Sequence, residues 1–74
     1  MADQTLNTEG LNCPLPIIKA KKALKGMASG EVLAVTSTDP GSVADFAAFC
    51  NQTGNSLLSS GSEGSVFSYE IQKN

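Results

Sequence analysis

The chain has 74 residues, of which 41% are hydrophobic and 16% are charged, and its formal net charge is −2. These values are typical of one small globular domain and exclude a disordered chain. Two-layer domains of this size occur among RNA binders, but the negative charge and the few aromatic residues argue against a nucleic-acid-binding module. We therefore expect no nucleic-acid partner.

The chain has two cysteines and no histidine, which restricts its chemistry. A Cys–His catalytic pair is excluded, and the usual zinc clusters need more ligands than these residues supply, so no metal is expected. The first residues lack the features of a secretory leader, and no apolar run approaches the ~20 residues that span a bilayer. We expect a cytoplasmic protein with free thiols and no membrane association.

The first half of the chain predicts a strand, a helix and a second strand. Polar and apolar residues alternate at Thr5–Thr8, and Gly10–Asn12 form a turn. Helix one follows from about Pro14 to Met27, with Pro14 at the first helical position. The β-branched run at 31–36 predicts a central strand. The apolar face of helix one is predicted to comprise Ile17, Ala20, Leu24 and Met27.

A second helix is predicted after Asp39 and Pro40, because aspartate can cap a helix and proline suits its first position. The pattern i, i+3, i+4, i+7 predicts an apolar face of Val43, Phe46, Ala47 and Cys50. Gly54 is a plausible left-handed helix terminator.

Two more strands complete the predicted fold. Leu57 and Leu58 indicate a third strand, Gly61–Gly64 a turn, and residues 67–71 a half-buried final strand that alternates aromatic or aliphatic with polar residues. We expect a single domain over residues 1–74 with the order βαβαββ. Its fold class is α/β (α+β): a two-layer sandwich with a four-stranded mixed sheet and both helices on one face.

The most informative stretch is Gly10–Pro16, in which Cys13 directly precedes the first of two prolines. If Pro14 opens the helix, the backbone N–H of Leu15 lies near the Cys13 sulfur, together with the positive end of the helix dipole. A thiol in this position is expected to lose its proton more readily than a free cysteine, and the thiolate is the reactive form. Pro16 removes a further unpaired N–H from the first turn.

Other side chains have a structural and a functional interpretation. Cys50 lies within the predicted apolar face of helix two, so we interpret it as a core residue. The lysines of helix one, among them Lys19 and Lys22, form a solvated face or a docking surface for an acidic partner. Leu15 is expected near that lysine face as an exposed apolar contact beside the thiol.

The stretch Gly10–Pro16, followed by Lys21–Lys22 and later by Thr38–Ser42, resembles the TusA (SirA-like) sulfur-carrier family. The Cys-Pro-x-Pro motif is quite specific, and the resemblance covers essentially the whole chain. It implies a sulfurtransferase that acts as a persulfide carrier rather than a free-standing catalyst, with sulfane sulfur on Cys13 and no other cofactor. The donor would be a cysteine desulfurase or a rhodanese, and the acceptor a DsrE/TusD-type protein.

The relay implied by this resemblance serves tRNA thiolation or sulfur oxidation, and the carrier is expected to be a monomer. Pro14, Leu15, Pro16, Lys19 and Lys22 would shape the site or contact partners. The alternative interpretation is a thiol redox switch or partner-binding regulatory module that uses Cys13. A switch of this kind would form a disulfide between Cys13 and Cys50, which requires their Cα atoms to lie within ~7 Å.

Overall fold

The computed structural model describes residues 2–74, which form four strands and two helices in the order βαβαββ. The elements are β1 (Gln4–Thr8), α1 (Leu15–Lys25), β2 (Val32–Ser37), α2 (Ser42–Thr53), β3 (Ser56–Glu63) and β4 (Val66–Gln72). The predicted order of elements and the two-layer sandwich are confirmed.

The sheet is mixed and has the strand order β1-β2-β4-β3. β1 and β2 are parallel, whereas β4 is antiparallel to both of its neighbours, β2 and β3. β3 therefore runs in the same direction as β1 and β2. Because each helix returns the chain between strands of the same direction, α1 and α2 run parallel to each other. Their N-termini lie at one end of the domain, beside the carboxyl ends of β1 and β2.

The hydrophobic core lies between the sheet and the two helices. On the central strands β2 and β4, inward-facing residues alternate with residues of the open face. α1 packs against β1 and β2, and α2 packs against β3 and β4. The helices thus cover one face of the sheet, as predicted. The fully buried hydrophobic side chains are Ala20, Leu24, Leu33, Val35, Phe46, Tyr69 and Ile71.

The start of α1 differs from the prediction by one residue. Pro14 lies just before the helix as its capping residue, and Leu15 and Pro16 occupy the first two helical positions. The Cys13–Pro14 peptide bond is cis. Gly26 ends the helix, so Met27 lies beyond it, although its side chain is buried as predicted.

The predicted apolar face of α2 is partly wrong. Phe46 and Cys50 are buried, but Val43 is 45% exposed and Ala47 is exposed as well. The buried face instead includes Ser42 and Phe49, which rotates it away from the predicted stripe. Ser42 can be buried because its hydroxyl hydrogen bonds to the Tyr69 hydroxyl at 2.6 Å, an interaction that hydrophobic periodicity does not reveal.

The hairpin between β3 and β4 is longer than predicted. β3 extends to Glu63, which pairs with Val66, so the turn is formed by Gly64 and Ser65 rather than by residues 61–64. An irregularity between Leu57 and Ser59 interrupts the ladder.

The hydrogen bond between Ser42 and Tyr69 links the first turn of α2 to the central strand β4. We expect Tyr69→Phe to reduce the free energy of unfolding by about 1–3 kcal/mol, because it leaves the buried Ser42 hydroxyl without a partner. Ser42→Ala should cost a similar amount. The double variant should lose clearly less free energy of unfolding than the sum of the two single-variant losses. Urea denaturation of the unmodified chain and the three variants would measure these values. Strictly additive losses would show that the two hydroxyls are not coupled.

Candidate functional site

Residues 9–14, here called the cysteine loop, join β1 to α1 and are held by the residues that follow β2. The Gly10 N–H donates to the Thr38 hydroxyl at 2.8 Å, and the Cys13 N–H donates to the Asp39 carboxylate at 3.0 Å. Both contacts are possible because β1 and β2 are parallel neighbours whose carboxyl ends adjoin. The position of Cys13 is therefore fixed by a neighbouring loop as well as by its own helix.

Asp39 links the cysteine loop to the start of α2. One carboxylate oxygen accepts the Cys13 N–H, and the other accepts the Gly41 N–H at 3.1 Å. The Asp39 N–H donates to the hydroxyl of the buried Ser37 at 3.1 Å. The sequence predicts Asp39 as a helix cap, but the capping residue is Gly41, and α2 has no side-chain capping hydrogen bond. The role of Asp39 toward Cys13 was missed, because it depends on which strands are neighbours.

The Cys13 side chain is exposed and lies at a shallow depression of about 240 Å³ between the first turn of α1 and one side of α2. Most of the lining is apolar or uncharged, and Asp45 supplies the one carboxylate. The lining residues are Cys13, Pro14, Ile17, Asp45, Ala48, Phe49 and Gln52. A visiting protein can reach the sulfur from the solvent side.

The expectation that the Cys13 thiol ionises readily is wrong. The pKa of this thiol is raised above its ordinary value, chiefly through hydrogen bonding that the Asp45 side chain can make to the protonated sulfur. Partial loss of hydration and the negative charges of Asp45 and Asp39 raise the pKa further. The Leu15 N–H, expected to stabilise the anion, donates instead to the Asn12 carbonyl at 2.9 Å. Both changes disfavour the thiolate relative to a free cysteine.

Some of the other predicted site residues lie beside Cys13, and others do not. Pro14 lines the same depression, whereas Pro16 is buried beneath the first turn of α1. Lys19 and Lys22 are exposed on α1 but do not line the depression. Leu15 is 45% exposed, as expected for a contact residue.

Ile18 is an exposed apolar residue that the sequence analysis did not single out. It is 53% exposed and lies one helical turn after Leu15, so the two form a small apolar patch beside the cysteine loop. The available signal was its place at helical spacing among the lysines of helix one, away from the predicted apolar face.

Cys50 belongs to the buried core cluster, and both cysteines are free. Burial raises the pKa of the Cys50 thiol, which makes it a poor nucleophile. Within residues 2–74, no group of three or more Asp, Glu or Cys side chains could hold a metal ion. None of the helices in this range is long and apolar enough to cross a membrane.

Replacement of Asp45 tests the origin of the raised thiol pKa. In Asp45→Asn, the negative charge is lost and the thiol pKa should fall, so alkylation of Cys13 at neutral pH should become faster. The pH dependence of the iodoacetamide rate should shift to lower pH. Glu70→Gln is the matched control, because its carboxylate lies on the open face of the sheet beside Ser59. An unchanged or upward-shifted profile in Asp45→Asn would contradict this assignment.

Comparison with known proteins agrees with the architecture and with the cysteine motif. Residues 4–73 match the family described as sulfurtransferase TusA. The chain is 59% identical over 71 residues to the sulfur carrier protein TusA of Allochromatium vinosum, covering 96% of this chain and 93% of that protein. It is 50% identical over 72 residues to a putative sulfur carrier protein of Neisseria meningitidis, covering 97% of both chains.

A solved structure supports the same assignment. The crystal structure of a SirA-like protein from Desulfitobacterium hafniense superposes with a TM-score of 0.81 at 25% identity, covering 93% of this chain and 95% of that one. The resemblance seen in the sequence is therefore confirmed by both sequence and fold. The chain belongs to the TusA family of sulfur-carrier proteins.

Proposed function

We propose that Cys13 is the residue that carries the sulfur, as a persulfide, between a donor and an acceptor protein. The observation that supports this most directly is the contrast between the two thiols. Cys13 is exposed in a loop fixed by hydrogen bonds, whereas Cys50 is only 4% exposed within the core. A persulfide on Cys13 thus has no exposed neighbouring thiol among residues 2–74 that could expel its outer sulfur as hydrosulfide.

In the accepting step, the Cys13 thiol gives its proton to Asp45 and attacks the outer sulfur of the donor's persulfide. The sulfur–sulfur bond of the donor breaks, and the donor cysteine leaves as a thiolate. In the passing step, an acceptor thiolate attacks the outer sulfur on Cys13, and Cys13 leaves as a thiolate and regains a proton. Sulfane sulfur moves between thiols without net oxidation or reduction, so no cofactor other than the covalently carried sulfur is required.

The raised thiol pKa affects the two steps in opposite directions. A thiolate of high pKa is a stronger nucleophile once formed, which favours acceptance, but it is a poorer leaving group, which slows release. Asp45 can assist both steps, because it can accept the proton when the thiolate forms in the first step and return it to the departing sulfur in the second. The prolines that flank Leu15 limit the conformations of the loop while these exchanges occur.

The relay has a donor and an acceptor, as sulfur carriers require. We propose a cysteine desulfurase or a rhodanese as donor and a DsrE/TusD-type protein as acceptor, in tRNA thiolation or sulfur oxidation. The carrier acts as a monomer in the cytoplasm, where reducing conditions keep thiols free. Leu15 and Ile18 supply an apolar contact beside the sulfur, and Lys19 and Lys22 supply an adjoining cationic surface.

Mass spectrometry of the intact protein tests the position of the carried sulfur. After incubation with a cysteine desulfurase and cysteine, or with a rhodanese and thiosulfate, the chain should gain the mass of one sulfur atom. Cys13→Ser should gain none, whereas Cys50→Ser should be loaded like the unmodified chain. Loading of Cys13→Ser would contradict the proposal. An intramolecular disulfide formed under mild oxidant would instead support the redox-switch alternative.

Charge reversal on α1 tests the docking role of the lysines. The double variant K19E/K22E should lower the rate of sulfur transfer by about tenfold at low ionic strength, because it repels an acidic partner surface. The difference should shrink as salt is added. K19Q/K22Q should have an intermediate rate, and iodoacetamide should reach Cys13 equally in all variants. A salt-independent rate equal to that of the unmodified chain would exclude this role.

A further inference from the structure

A second depression adjoins the one that contains Cys13. It measures about 300 Å³ and lies between the C-terminal halves of the helices and the end of the chain. Phe49, which is 8% exposed, lines both depressions. Because they share this side chain, we treat the two depressions as one surface feature, here called the interhelical trough, with Cys13 at one end and Lys25 and Lys73 at the other.

Both helices contribute residues to this trough, and because they are parallel, these residues follow the same order from the thiol to the lysine end. α1 contributes Ile17 near the thiol and then Lys21 and Leu24, which follow at helical spacing on the same flank. α2 contributes Asp45 near the thiol and Thr53 at the far end, with Phe49 between them. The middle of the trough thus has an apolar floor of Leu24 and Phe49, both of which are buried.

The two ends of the trough carry opposite charge. Asp45 lies at the Cys13 end, and Asp39 is close enough for its charge to act on the thiol. Lys21, Lys25 and Lys73 line the other end and are three of the chain's five cationic side chains. No other part of the chain can assemble as many cations in one depression, because only Lys19 and Lys22 remain.

The cationic end is held by hydrogen bonds of its backbone. The Lys73 N–H donates to the Glu31 carbonyl at 2.7 Å, and the Lys73 carbonyl accepts the Gly30 N–H at 2.9 Å. The Asn74 N–H donates to the Asn55 side chain at 2.8 Å. A ligand would therefore meet a wall that is already formed, and it would pay little conformational entropy to order it.

We propose that the interhelical trough binds an extended segment of a partner protein, with the partner's reacting cysteine at Cys13 and acidic residues at the lysine end. This proposal rests on the proposed function and adds the recognition motif. α1 has 11 residues and is about 15 Å long. About five residues of extended chain cover that distance. The motif is a cysteine and a pair of carboxylates about five residues apart, with an apolar side chain between them over Phe49.

The charges at the two ends give the segment one orientation. If the carboxylates were placed at the Cys13 end, they would face Asp45 and lose the attraction of the three lysines. Wrong orientations and basic segments are therefore disfavoured by like-charge repulsion. The exposed face of Lys19 and Lys22 differs from this trough, because neither of these lysines lines either depression.

A peptide without a reactive thiol tests this proposal apart from sulfur transfer. The probe is a fluorescein-labelled peptide of about eight residues, with serine in place of the cysteine, a central leucine and a terminal Asp-Glu pair. Its binding to the full chain is measured by fluorescence anisotropy at low salt. K21E/K25E should weaken binding by about tenfold or more, whereas K19E/K22E, with the same charge change on the same helix, should weaken it less than about threefold.

Amide shifts in NMR spectra would locate the bound peptide, with changes expected along Leu24, Phe49 and Thr53. Exchange of the Asp-Glu pair for Lys-Lys should abolish binding. The proposal is overturned if the acidic peptide does not bind at about 1 mM, or if K19E/K22E weakens binding as much as K21E/K25E. It is also overturned if the shifts avoid the trough. Each of these results leaves persulfide loading of Cys13 unaffected, so failure here is distinguishable from failure of the proposed function.

Discussion

The hydrogen bonds of the Asp39 carboxylate determine the geometry of the sulfur site. One carboxylate oxygen binds the N–H of Cys13 and the other binds the N–H of Gly41, so the cysteine loop and the start of α2 share one anchor. This contact exists because β1 and β2 pair in parallel and leave the sheet side by side. Without it, the Gly10–Thr38 hydrogen bond alone would tie the cysteine loop to the residues that follow β2. Asp39 and Thr38 together thus hold the loop that places the thiol beside Asp45 and the interhelical trough.

The electrostatics of the site result from opposing contributions. Both helices begin near the thiol, and their dipoles place partial positive charge there, which favours a thiolate. Hydrogen bonding of the Asp45 side chain to the thiol, with the coulombic effects of Asp45 and Asp39, acts in the opposite direction, and the net effect is a raised thiol pKa. A carrier has to release its cargo as well as accept it. A carboxylate beside a thiol of raised pKa can accept and return the proton in the two steps of the proposed exchange.

The sequence was most informative where local patterns decide the structure. The order of elements and the core strand β2 were predicted correctly, because turn residues and periodicity depend on near neighbours. The Cys-Pro-x-Pro motif could be read directly. The buried face of α2 was misassigned, since Ser42 is buried only through its bond to Tyr69, which is far away in the sequence. The thiol pKa was misjudged for the same reason. Asp39 and Asp45 are far from Cys13 in the sequence and lie near it only in the folded chain, where the Leu15 N–H is bonded to the Asn12 carbonyl.

Helix α1 has lysines on two different surfaces, and this division bears on how one small domain can serve a donor and an acceptor. Lys19 and Lys22 face solvent beyond the trough, whereas Lys21 and Lys25 line its far end. If Cys13 carries the sulfur, as we propose, both partners reach the same atom and cannot bind at once when each covers the cysteine loop. They can still be distinguished if one contacts the exposed lysine face and the other inserts a segment into the trough. Selectivity would then come from the surface beside the sulfur, while the chemistry at Cys13 stays the same in both directions.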